Sequence, residues 1–187
     1  MLSVEHGDWR SSQVRVSMLL RCLVEVLRMD IRRDDLQSRE IAELLRVHLE
    51  NSKMWSPPES IHALNLEGLR APDVTFWTAW EGSSLLGCGA LRELDVVHGE
   101  VKSMHTAAKH RRRGVAAALL VRILHEARSR RYWRVSLETG SMNAYAPARA
   151  LYSGFGFILC GPFGDYKEDT NSVFMTLDLR KYHPSTS

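Results

Sequence analysis

The feature that most restricts this chain is one unbroken apolar stripe between residues 115 and 127. Val115, Ala116, Leu119, Leu120, Ile123, Leu124 and Ala127 recur at helical spacing, and Arg122 and Arg128 fall on the opposite side. A helix with such a stripe has to lie against an apolar surface. Strand-like runs flank it, 100–106 before and 133–139 after. Strand, helix and strand in that order point to a mixed α/β domain.

The remaining pattern agrees. Residues 29–32 read as a first strand. Leu36, Ile41, Leu44, Leu45, His48 and Leu49 fall at helical spacing over 36–50. Ser56-Pro57-Pro58-Glu59 has the form of a capping box and predicts a helix from Pro57 through Ile61 and Leu64. Strands at 74–80, 85–93 and 100–106, with turns at 81–84 and 98–99, predict an antiparallel meander. A short helix over 146–154 and strands at 157–160 and 173–179 complete the order. At 187 residues and 44% apolar, the chain is sized for one domain with one core. The expected division is an N-terminal extension over 1–28, the domain over 29–180 and a tail over 181–187. Within the extension, residues 14–27 form either a loosely docked helix or part of a leader preceding a natural start at Met29.

Charge and cysteine content narrow the function. The formal net charge of +3 is too small for nucleic-acid binding by bulk charge, yet it permits a local basic patch. Cys22, Cys88 and Cys160 are odd in number and far apart, so neither a disulfide framework nor a structural zinc site is expected. Cys88 and Cys160 read as packed strand residues. His48, His98, His105 and His125 have no metal-ligand spacing, and no metal is expected. The early apolar stretch at 18–27 is interrupted by Arg21 and Glu25 and lacks the order of a signal peptide. A cytoplasmic protein with no membrane partner is the expectation.

The sharpest chemical signal is Lys109-His110-Arg111-Arg112-Arg113-Gly114-Val115-Ala116, which joins a strand to the striped helix. The first turn of a helix carries unpaired backbone N–H groups and the positive end of its dipole, and both favour a phosphate. Gly114 lets the backbone approach a ligand closely, and the flanking cations neutralise the phosphate charge. The pattern is neither GxGxxG nor GxxxxGK[ST], which argues against dinucleotide and P-loop sites. A second phrase, Leu151-Tyr152-Ser153-Gly154-Phe155-Gly156-Phe157, ends the short helix and begins a strand.

Arg111-x-x-Gly114-x-Ala116 and Leu151-Tyr152-x-x-x-Gly156-Phe157 together resemble the pyrophosphate loop and the LY-x-x-x-GF phrase of the GCN5-related N-acetyltransferase (GNAT) superfamily. The resemblance covers roughly 29–179. The stretches 56–64 and 137–141 also look like a poorly characterised bacterial subgroup. It implies a single mixed, mostly antiparallel sheet flanked by helices, with splayed central strands forming a CoA cleft. It implies acetyl-CoA as co-substrate, with the pyrophosphate held by Arg111, Arg112, Arg113, Gly114, Val115 and Ala116. The pantetheine arm and acetyl carbonyl would meet the backbone of Met104, His105 and Thr106. Where many members carry an asparagine seven residues before the tyrosine, this chain has Tyr145. A monomer or a homodimer is expected.

Acetyl transfer to an amine needs a base, donors for the developing oxyanion and a proton for the departing thiolate. The base is Glu100, Glu138 or a chain of water. Glu100 lies eleven residues before Arg111, as in the histone-acetyltransferase branch, and could equally be a solvent-facing turn residue. Glu138 lies near the end of the next strand and could equally be a salt-bridge partner. Tyr152 is the candidate acid for the thiolate. Trp55, Ser56, Glu59, Ser60 and His62 fall where this fold shapes its acceptor pocket. Glu59 could pair with an acceptor ammonium, or serve only the capping box. The activity implied is acetyl-CoA-dependent transfer to a small-molecule or protein amine by direct attack in a ternary complex. The alternative is a non-catalytic CoA-binding sensor or scaffold.

Overall fold

The computed structural model describes residues 29–181. The expectations for 1–28 and for most of the tail lie outside the described residues. Seven strands form one mixed sheet in the order β1-β2-β3-β4-β5-β7-β6. They are β1 (Asp30–Arg33), β2 (Val74–Glu81), β3 (Ser84–Asp95), β4 (His98–Thr106), β5 (Arg134–Gly140), β6 (Ile158–Cys160) and β7 (Ser172–Asp178). Every neighbouring pair is antiparallel except β4 and β5, which run parallel. The helices are α1 (Arg39–Trp55), α2 (Leu66–Leu69), α3 (Val115–Ser129) and α4 (Ala146–Gly154).

The sheet has a core on each face. Successive strand residues point to opposite sides, so alternate positions sort between the two. Trp77, Ala79 and Leu91 join the stripe of α3, with Leu119, Leu120 and Ile123 wholly buried. Phe76, Trp80, Cys88 and Ala90 join Ile41, Leu44 and Leu45 of α1. Cys88 is therefore a packed strand residue, as expected, while Cys160 is half-buried on β6.

Two local expectations are corrected. The helix anticipated over 36–50 begins later and runs further. Leu36 has a left-handed φ of 62°, and Ser38 caps α1 by accepting from the backbone N–H of Ile41 at 3.3 Å. The helix then continues to Trp55. Ser56 accordingly closes one helix rather than opening another, and the capping box does not form. A single 3₁₀ turn, Pro58–Ser60, stands in place of the expected helix. The reason is the second proline: Pro58 disfavours the α region at the residue before it, and Pro57 sits at φ −56°, ψ 148°.

Two irregularities in β4 open the middle of the sheet. Cys88 pairs with His105 but Ala90 with Lys102, so β4 holds one residue more than β3 over that interval. The extra residue is at Ser103, whose φ of 52° is left-handed. The bulge re-phases the strand. Lys102 lies opposite Ala90, on the α1 side. Met104 reaches the other face, where a Cβ on Gly89 would meet its Sδ and Ile123 Cδ1. In addition β4 pairs with β5 only from His98–Arg134 to Val101–Leu137. Beyond that point β4 stays with β3 and β5 stays with β7, so the two central strands part.

Candidate active site

The parting of β4 and β5 opens a cleft. Ser56 and Ser60 line it from the α1 side, Glu138 from β5, and Tyr145 and Tyr152 from the segment after β5. Lys102, Ser103 and Met104 supply the β4 wall. His105 stacks against His48 with ring centroids 5.0 Å apart, and burial pulls both rings down to about pKa 4, leaving them neutral at pH 7. Thr106 ends β4 opposite Gly87.

The basic loop follows β4 through a 3₁₀ turn at Ala108–His110. Arg112 and Gly114 both have left-handed φ, 58° and 80°, and Gly114 is the N-cap of α3. The first intrahelical bond is Ala118 N–H to Gly114 O at 2.9 Å. The N–H groups of Val115, Ala116 and Ala117 therefore precede the helical ladder and are available to an anion. Successive backbone N–H groups turned by left-handed residues form a concave anion nest. The loop thus fits a pyrophosphate. Arg111 and Arg112 are exposed beside it, while the Val115 side chain is core. Arg113 departs from the expectation that all three arginines face phosphate: its guanidinium is held by both carboxylate oxygens of Glu81 at 3.1 Å and by His110 Nδ1 at 3.0 Å.

Tyr152 projects from α4 and is only 6% exposed. Burial first, then the charge of Glu138, push its hydroxyl pKa upward. Among the described residues no side chain or backbone group hydrogen-bonds that hydroxyl, and it opens on the cleft. Glu138 Oε1 accepts from the Ser172 hydroxyl at 2.7 Å. Burial raises the Glu138 pKa above the usual carboxylate value, against the lowering effect of the Ser172 bond.

Glu100 is placed differently. β4 begins two residues earlier than expected, so Glu100 is inside the sheet and fully buried rather than a solvent-facing turn residue. Its Oε1 accepts from the Tyr166 hydroxyl at 2.6 Å and lies 3.1 Å from Lys102 Nζ. Lys102 Nζ in turn donates to Tyr166 at 2.5 Å. Glu100 does not line the cleft of Tyr152 and Glu138. It lines a second cavity, under the loop between β6 and β7, which shares only His62 and Lys102 with the first.

Sequence reasoning missed Lys102, Tyr166 and Ser103. Tyr166 lies in an irregular loop where no periodicity flags it, although an aromatic among polar neighbours (Asp165, Lys167, Glu168) was a usable hint. Tyr145, which replaces the asparagine of many GNAT members, lines the cleft. Its ring lies on Gly140, where a Cβ would come within 2.4 Å, and its hydroxyl is 3.1 Å from Ser56 Oγ. Trp55 meets it edge to face at 6.0 Å. Among the described residues no helix is long and apolar enough to cross a membrane, and no group of His, Cys, Asp and Glu is arranged to hold a metal.

The chain is similar to known proteins in sequence and in fold. The model of the acetyltransferase (GNAT) family matches residues 38–157. The chain is 58% identical over 151 residues to the uncharacterized N-acetyltransferase YsnE of Bacillus subtilis, covering 81% of this chain and 100% of that one. It is 46% identical over 149 residues to the uncharacterized N-acetyltransferase YedL of Escherichia coli, covering 80% and 94%. In fold it resembles the PaiA N-acetyltransferase of Thermoplasma acidophilum, solved in complex with coenzyme A, with a TM-score of 0.63, 15% identity and coverage of 80% and 98%. The family match runs from the cap of α1 to the start of β6 and takes in both the anion loop and the cleft, so the chain belongs to the GNAT family of acetyltransferases.

Proposed function

We propose that the protein transfers an acetyl group from acetyl-CoA to a primary amine by direct attack, with both substrates bound together. The observation that carries this reading is the cleft where β4 and β5 part, which brings together a half-buried carboxylate, Glu138, and a buried phenol, Tyr152. Bound acetyl-CoA supplies an activated acetyl thioester. The N–H groups of Val115 and Ala116 and the exposed Arg111 and Arg112 hold its pyrophosphate. The backbone of Met104, His105 and Thr106 orients the pantetheine arm and the acetyl carbonyl. The Arg113 side chain serves the loop from behind, through Glu81, and contributes its backbone N–H.

Glu138 takes the amine proton. An alkyl ammonium has a pKa of about 10.4, and a base whose own pKa lies above the usual carboxylate range is better matched to receive its proton near neutrality. Glu100 is the poorer base, because its Oε1 already accepts from Tyr166 and is ion-paired with Lys102, and it lines the neighbouring cavity. Tyr152 keeps its proton at working pH because burial raises its pKa, so it can donate to the thiolate. The ammonium first gives up one proton to solvent; as the C–N bond forms and the C–S bond breaks, a second proton passes from the attacking nitrogen to Glu138, and Tyr152 gives one to the thiolate. Solvent resets both groups.

The test is release of CoA thiol with a panel of primary amines, beside the thermal shift produced by CoA. Turnover with at least one amine supports transfer. CoA-specific stabilisation with no turnover on any amine would instead favour a binding module.

A further inference from the structure

The second cavity lies beside the proposed reaction cleft, and His62 and Lys102 line both. An acceptor longer than the cleft, with its reacting nitrogen between Glu138 and Tyr152, has this neighbouring cavity within reach across His62 and Lys102. The charges lining this cavity do not cancel. Its two inner cations are committed: Arg92 Nε to Asp73 at 2.9 Å and Lys102 to Glu100 at 3.1 Å. Glu59, Asp165 and Glu168 also line it, and none of them has an ion pair among the described residues. Lys167 adds one further lining cation. A protein of net positive charge thus presents a negative pocket at this point.

A second observation is independent of the rim. Glu100 is fully buried, and its Oε2 has no hydrogen-bond partner, although Oε1 accepts from Tyr166 and pairs with the Lys102 ammonium. A buried acceptor left unmet is costly, and such groups concentrate where a ligand completes them. The missing complement is a donor, and the surrounding carboxylates favour one that carries positive charge.

We infer that this cavity receives a second cationic group of the acceptor, which makes the preferred acceptor a diamine or polyamine rather than a monoamine or an amino acid. The inference rests on the amine-acetylating reading above. Glu59, Asp165 and Glu168 draw the distal ammonium in, and Glu100 Oε2 accepts from it directly or through one water. An acceptor carrying a carboxylate at that end meets repulsion instead.

The experiment compares three five-carbon acceptors by thiol release at saturating acetyl-CoA: cadaverine, pentylamine and aminovaleric acid. Cadaverine is expected to exceed pentylamine in kcat/KM on the order of tenfold, since exposed carboxylates each contribute little but act together. Aminovaleric acid should be the poorest. The advantage of cadaverine should shrink as ionic strength rises. The double variant Asp165→Asn, Glu168→Gln should narrow the gap between cadaverine and pentylamine. Equal kcat/KM for cadaverine and pentylamine, or preference for aminovaleric acid, would overturn the inference. Titration calorimetry of the CoA-saturated protein with the same three compounds reads binding without turnover. If no amine releases thiol, the transfer reading fails, and the calorimetric order alone decides this one: cadaverine bound no tighter than pentylamine refutes it.

Discussion

Replacing Tyr152 by phenylalanine tests the proposed chemistry with the least structural disturbance. The ring of Tyr152 belongs to the α3-side core and meets Phe157 with centroids 5.8 Å apart. Phenylalanine keeps that packing. The hydroxyl has no hydrogen-bond partner among the described residues, so its removal orphans nothing. Stability should therefore change by less than about 0.5 kcal/mol, well below the roughly 1–3 kcal/mol cost of stranding a buried partner. The catalytic effect should be large. A positioned general acid contributes about 10²–10⁴ in rate, which at about 1.36 kcal/mol per tenfold is about 2.7–5.4 kcal/mol of barrier. Because the hydroxyl acts on the departing thiolate, kcat should fall while CoA affinity holds. The assay is steady-state thiol release at saturating acetyl-CoA with the best amine of the panel, beside a urea melt and a CoA titration of each protein. Turnover within about threefold of the parent would refute the acid role. A large loss of stability with unchanged turnover would show that the hydroxyl has a structural partner instead.

Three further outcomes are expected. Glu138→Gln should lower kcat by about 10²–10³ and abolish the acidic limb of the pH–rate profile, which in the parent rises as Glu138 loses its proton at a pKa above the usual 4.5; an unchanged limb would move the base elsewhere. Gly114→Glu should leave a folded protein that no longer binds CoA, because a side chain at φ 80° and a carboxylate in the anion nest both oppose a pyrophosphate; calorimetry showing unchanged affinity would remove the phosphate site. Glu100→Gln should destabilise by about 3 kcal/mol in a urea melt, because it leaves the Lys102 ammonium buried beside Tyr166 without its counter-charge; a loss under about 1 kcal/mol would show that the pair carries no such burden.

The helix start at Gly114 and the helix end that carries Tyr152 are legible in the sequence because both are local. The stripe from Val115 to Ala127 specifies a helix by period alone. A glycine at the start of that helix specifies a left-handed cap, and the phrase from Leu151 to Phe157 specifies a helix end and a strand start. The Pro57-Pro58 turn is equally local, since the second proline governs the ψ of the first and so overrides the capping pattern of Ser56 and Glu59. What the chain alone did not decide was the choice between Glu100 and Glu138. Both are strand glutamates, and nothing within a few residues of either distinguishes them. The distinction arises where β4 leaves β5 after Val101 and Leu137, and where Tyr166, 66 residues from Glu100, closes over it. Strand register and the docking of an aperiodic loop depend on how distant segments share one hydrophobic core and satisfy one another's buried polar groups. Those are properties of the packed whole, so the tertiary structure alone placed Glu138 in the cleft with Tyr152 and Glu100 in the neighbouring cavity beneath Tyr166.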